Sequence, residues 1–145
     1  MVGVMSPTRT ALIAALDAAM ARWCRSAITW GTDDCLMALA DVYREVLGVD
    51  PGAAWRERYD SEVGACAFLG ARGVAKPLSA AARSMGWHRI APVRALPGDL
   101  GMARSIKGFA GVMRHRRDWI GRNDRGFTAL PTIEIVTAWR VGCRP

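Results

Sequence analysis

Apolar positions recur at three- and four-residue spacing through the first half of the chain, and from Trp87 onward the spacing shortens towards two. Ser6-Pro7 reads as a helix start, a hydroxyl cap followed by proline at the first helical position. Leu12, Ala15, Leu16, Ala19 and Trp23 then form one stripe, and the helix is expected to end near Arg25. A second helix is expected from about Asp33, capped by Thr32 or Asp33. Leu36, Leu39, Ala40, Tyr43, Val46 and Leu47 lie on its apolar side, and Gly48 supplies the stop. Residues 50–59 read as a loop. Short helices are expected over 61–71 and 77–85, with Gly73 and Gly86 just past their ends. Candidate strands are 87–93, 99–104, 109–115, 118–122, 126–130 and 135–141, punctuated by Gly, Pro and Asn-Asp. Helices followed by strands indicate an α+β fold in which N-terminal helices pack on a C-terminal, mostly antiparallel sheet. One domain is expected over residues 1–145, with a helical part over about 6–86 and a sheet part over about 87–141.

Composition narrows the chemistry. A chain of 145 residues buries roughly 70% of its unfolded surface and needs neither disulfide nor metal to hold a core. Cys24, Cys35, Cys66 and Cys143 show neither a CxxC pair nor a Cys/His cluster, so no metal site and no cofactor is expected; thiols of a reducing compartment are. The apolar run from Ala11 is cut short by Asp17, which argues against a secretory signal, and no stretch is long enough to span a bilayer. The net charge of +7 favours acidic partners. Arg114, Arg116, Arg117, Arg122 and Arg125 form the densest basic cluster, read as a solvated strand-and-turn surface, with Trp119 packing into the sheet.

The segment Trp30-Gly31-Thr32-Asp33-Asp34-Cys35 runs straight into the second helix. A thiol in the first turn of a helix meets unpaired amides and the positive end of the dipole, which favour thiolate. Asp33 and Asp34 oppose that effect.

Gly31-x-Asp33-Asp34-Cys35, followed by a helix ending Tyr43-Arg44-Glu45-Val46-Leu47-Gly48, resembles the nucleophile helix of NlpC-type peptidases, papain-like enzymes that cut bacterial cell-wall peptides. Pro97-Gly98-Asp99-Leu100 is similar to that family's Gly-Asp-Leu strand opening. Phe109-Ala110-Gly111-Val112-Met113 looks like its next strand, which usually begins with histidine. The resemblance spans about residues 28–141 and implies the papain-like fold with Cys35 at the nucleophile position. It also puts Phe109 where the general base belongs. A catalytic dyad needs an imidazole within about 3 Å of the sulfur, and a phenyl ring cannot shuttle a proton. Of the two histidines, His115 lies six residues past Phe109 and His88 falls on the preceding expected strand.

Asp50-Pro51, Trp55-Arg56-x-Arg58-Tyr59, Gly126-Phe127 and Ala138-Trp139-Arg140-Val141 look like small phage and prophage proteins distantly related to these peptidases. Trp55 and Tyr59 read equally as core anchors or as parts of a groove, and Trp139 as core. The resemblance implies a structural or assembly component of a phage or phage-like tail tip, a pseudoenzyme made in the host cytoplasm and then carried in the particle. Its partners would be other tail-tip or hub proteins, met through acidic surfaces. An active cysteine peptidase or amidase acting on peptidoglycan is the alternative. A basic nucleic-acid-binding module is a third reading, resting on charge alone.

Overall fold

The computed structural model describes residues 7–70, 73–106 and 108–143. Helix α1 (Arg9–Trp23) is capped by Thr8, whose hydroxyl accepts from the Ala11 amide at 3.1 Å. The expected cap, Ser6, lies outside the described residues. α2 spans Met37–Leu47 and stops at Gly48, whose φ of 74° is the left-handed conformation that favours glycine. α3 (Glu62–Leu69) starts from the Ser61 hydroxyl, and Ala71, its expected end, lies outside the described residues. α4 (Ala75–Met85) ends at Gly86.

Six strands follow: β1 (Arg89–Ile90), β2 (Leu100–Ser105), β3 (Gly108–Arg114), β4 (Trp119–Asn123), β5 (Gly126–Leu130) and β6 (Ile135–Trp139). They form one antiparallel sheet in the order β1-β6-β2-β3-β4-β5. The fold is therefore α+β, as the change of period indicates. The expected first strand, 87–93, is corrected to two residues. Pro92 has no N–H for a ladder, and the chain turns there into a 3-10 segment, Pro92–Arg94.

The sheet is buried on both faces. On one, Leu100, Met102, Met113, Ile120 and Trp139 pack against α1, α2 and α4. The opposite face holds a smaller cluster of Ala103, Val112, Trp119, Ile135 and Ala138, covered in part by Ala95 of the β1–β2 connection. Trp119 is fully buried, and its indole N–H donates to the Thr132 hydroxyl at 3.2 Å. Burying ~200 Å² of such a ring stabilises the fold by about 5 kcal/mol before entropy is counted. The ring lies flush on Gly101: a Cβ there would sit 2.6 Å from it.

Buried ion pairs tie the chain ends to this framework. Asp99, wholly buried, accepts from Arg9 Nη1 (2.9 Å), the Val141 amide (2.9 Å) and the Leu96 amide (2.8 Å). Arg140 Nε lies 3.1 Å from the same carboxylate without hydrogen-bond alignment. Arg9 also donates to the carbonyls of Pro97 and Val141, so the start of α1 is clasped to the segment after β6.

Gly101→Ala is expected to destabilise the protein by about 1–3 kcal/mol, because the indole has nowhere to retreat. An unchanged urea midpoint would contradict this packing.

Candidate functional site

Asp34 organises the segment that carries Cys35. Its carboxylate is buried and accepts from the amides of Gly31 (2.8 Å), Leu36 (2.9 Å) and Met37 (2.8 Å). The Tyr59 hydroxyl is close enough for the Asp34 charge to raise it. The first helical hydrogen bond runs from the Ala38 amide to the Asp34 carbonyl at 2.9 Å. Asp34 thus acts as the N-cap, satisfying the second and third amides of the turn, although regular α geometry begins only at Met37. The expected start at Asp33 with Thr32 or Asp33 as cap is corrected accordingly, and Cys35 keeps its place in the opening turn.

Asp33 does a different job. It closes a tight loop with Thr29 through paired backbone bonds of 3.0 and 2.8 Å, and its carboxylate meets Arg122 at 3.1 Å. Arg122 had been expected on the solvated basic surface; instead its side chain is completely buried. Its place on β4 turns it inward under the end of α1, where it donates to the carbonyls of Trp23, Ser26 and Gly126. Neighbouring Arg116, Arg117 and Arg125 are exposed.

The 50–59 loop closes the other side. Arg56 bridges Asp41 (2.8 Å) and Asp50 (2.7 Å), and its hydrogen bond holds the Asp50 carboxyl below the usual range. At Asp41, burial outweighs the same arginine and raises the carboxyl. Gly31, at φ 92°, lies under the Tyr59 carbonyl, and a Cβ would sit 2.0 Å from that oxygen. Trp55 lines an apolar cavity of about 30 Å³ with Leu36, Leu39, Leu78 and Trp87. That is room for one water, far below a ligand pocket, so Trp55 is a core anchor here. Tyr59 and Trp139 are buried too.

Three contacts fix how α2 lies on the sheet. The Tyr43 hydroxyl donates to the Gly98 carbonyl at 2.8 Å, and the Gly98 amide donates to Arg114 at the end of β3. Leu39, one turn earlier, packs over Gly111 in mid-strand. Phe109 lies on the same face of β3 as Gly111, near the start of the strand, and Cys35 lies four residues before Leu39, in the turn that leads into α2. The Cys35 and Phe109 side chains are half-buried and pack on the same core cluster.

Both histidines lie at the other end. His115 follows β3, roughly 20 Å along the strand from Phe109, and its Nε2 is 2.6 Å from Asp17 on α1. The His88 carbonyl accepts from the Arg140 amide just past β6, on the far side of the sheet from β3. Among the described residues the cysteines form no disulfide, no group of three His, Cys, Asp or Glu is arranged to hold a metal ion, and no helix is long and apolar enough to cross a membrane.

Burial, then the Asp34 charge, pushes the Tyr59 hydroxyl well above its usual 10.0; burial does the same to Tyr43, the only other tyrosine. A raised folded-state value contributes stability that is complete below pH about 10 and is lost as pH climbs towards that value. Absorbance at 295 nm should therefore show no tyrosinate in the folded protein at pH 10 to 11, and the signal should appear together with unfolding. Tyr59→Phe should flatten the alkaline decline of stability; a freely titrating tyrosine would refute the buried contact. Asp34→Ala, which orphans three amides, is expected to cost about 2 kcal/mol or more in chemical denaturation. A loss below a few tenths would show that the carboxylate does not hold the loop.

No curated protein matches the chain. A family model described as "Domain of unknown function (DUF6950)" matches residues 8–141, from the cap of α1 to the valine bound by Arg9 and Asp99. With almost its whole length matched, the chain belongs to the DUF6950 family.

Proposed function

We propose that this chain is a papain-like domain of the NlpC type without a working catalytic dyad, serving as a structural component of a phage-type tail tip. The observation that carries the reading is that Cys35, in the turn that leads into α2, and Phe109, at the base position that the resemblance implies, are both half-buried against one core cluster. A phenyl ring neither accepts the thiol proton nor delivers one to a leaving amine. The binding side of the proposal rests on charge: Arg116, Arg117 and Arg125 are exposed on a chain of net charge +7 and suit acidic neighbours in an assembly.

The purified chain, incubated with cell-wall muropeptides and followed by mass spectrometry, should release no product above the buffer blank, and Cys35→Ala should behave identically. Phe109→His should raise the rate of Cys35 alkylation by iodoacetamide about tenfold or more, read by peptide mapping. Hydrolysis abolished by Cys35→Ala would overturn the non-catalytic assignment. Absence of the polypeptide from purified particles of the parent system would overturn the structural one.

A further inference from the structure

The two edges of the sheet are finished differently. At the β1 edge the strand is two residues long and runs into Pro92, which is how natural sheets blunt an edge. At the other edge β5, Gly126-Phe127-Thr128-Ala129-Leu130, pairs with β4 over five residues without a register shift. It carries no charge, no proline and no bulge, the devices that keep an edge from pairing. Phe127 is 37% exposed, and Ala129 beside it on the same face is exposed as well. Among the described residues no backbone hydrogen bond reaches β5 from any element except β4, so alternate amides and carbonyls point outward.

Charge around the edge selects the occupant. Cys24 packs on Gly126, which sets Arg25 at the end of α1 beside the strand, and Arg125 lies in the turn that leads into it; both are exposed. Arg122 is already committed to Asp33, and the exposed acid of the turn is Asp124. The surroundings of the edge are therefore positive on a chain that is itself +7, which opposes a second copy and favours an anionic strand.

We infer that β5 is a docking edge for an extended acidic segment of another protein, added as a seventh antiparallel strand. Its main chain bonds the open side of β5, its apolar side chains lie on Phe127 and Ala129, and its carboxylates meet Arg25 and Arg125. The inference rests on the edge alone and holds whichever assembly the chain serves.

The test uses the full chain and two end-blocked peptides, Glu-Val-Glu-Val-Glu-Val and Lys-Val-Lys-Val-Lys-Val, with binding read by amide chemical shifts. The acidic peptide should shift residues of β5 and the end of α1, and the lysine peptide should bind about tenfold more weakly or not at all. Arg25→Glu combined with Arg125→Glu should reverse that preference. Thr128→Pro and Ala129→Pro form a pair in which one position directs its N–H outward and the other towards β4. The variant that stays folded by circular dichroism should lose binding. Absence of shifts on β5 at the solubility limit, shifts centred elsewhere, or equal binding of the two peptides would each overturn the inference. So would concentration-dependent self-association in sedimentation that the folded proline variant abolishes, since the edge would then belong to a second copy.

Discussion

A carboxylate taken out of water must have its lone pairs filled, and Asp34 fills them with the backbone of its own segment. Three amides from two sides of the turn converge on it, so the loop and the first turn of α2 are set by a single group. At the opposite end of the helix the Tyr43 hydroxyl holds the Gly98 carbonyl. A helix fixed at both ends has one register against the strand beneath it. That register seats Leu39 on Gly111.

The same logic redistributes the charge of the molecule. Arg9 and Arg122 are among the buried residues, each serving carbonyls and a carboxylate from distant parts of the chain. Breaking such a cluster by removing one member leaves an uncompensated charge inside. Part of the +7 that a composition count assigns to the surface is therefore structural and unavailable to partners. What remains outside is spread over the surface: Arg22, Arg25, Arg116, Arg117 and Arg125 near the ends of α1 and β4, and Arg44, Arg58, Arg83, Arg89, Arg94 and Arg104 elsewhere.

Legibility in the sequence followed periodicity. The stripe of α1, the glycine stops at Gly48 and Gly86, and five of the six strands stood out because each repeats a local rule. The start of α2 did not. Two adjacent aspartates compete for one capping role, and only the loop from Thr29 to Asp33, closed by its own backbone, decides that Asp34 takes it. Arg122 was misread for a related reason. It follows a run of surface arginines, and its inward direction comes from strand parity against α1, a long-range fact. How α2 lies on the sheet was not legible either, because its contact there, Leu39 seated on Gly111, involves a glycine that no periodicity marks.

Gly31 carries a consequence for kinship. Because its missing Cβ is the space filled by the Tyr59 carbonyl, residue 31 cannot gain a side chain unless the 50–59 segment moves away. The same glycine gives its amide to Asp34, so an added methyl would disturb the loop and the helix start together. A search for distant kin should therefore weight this glycine and the aspartate three residues on as one unit.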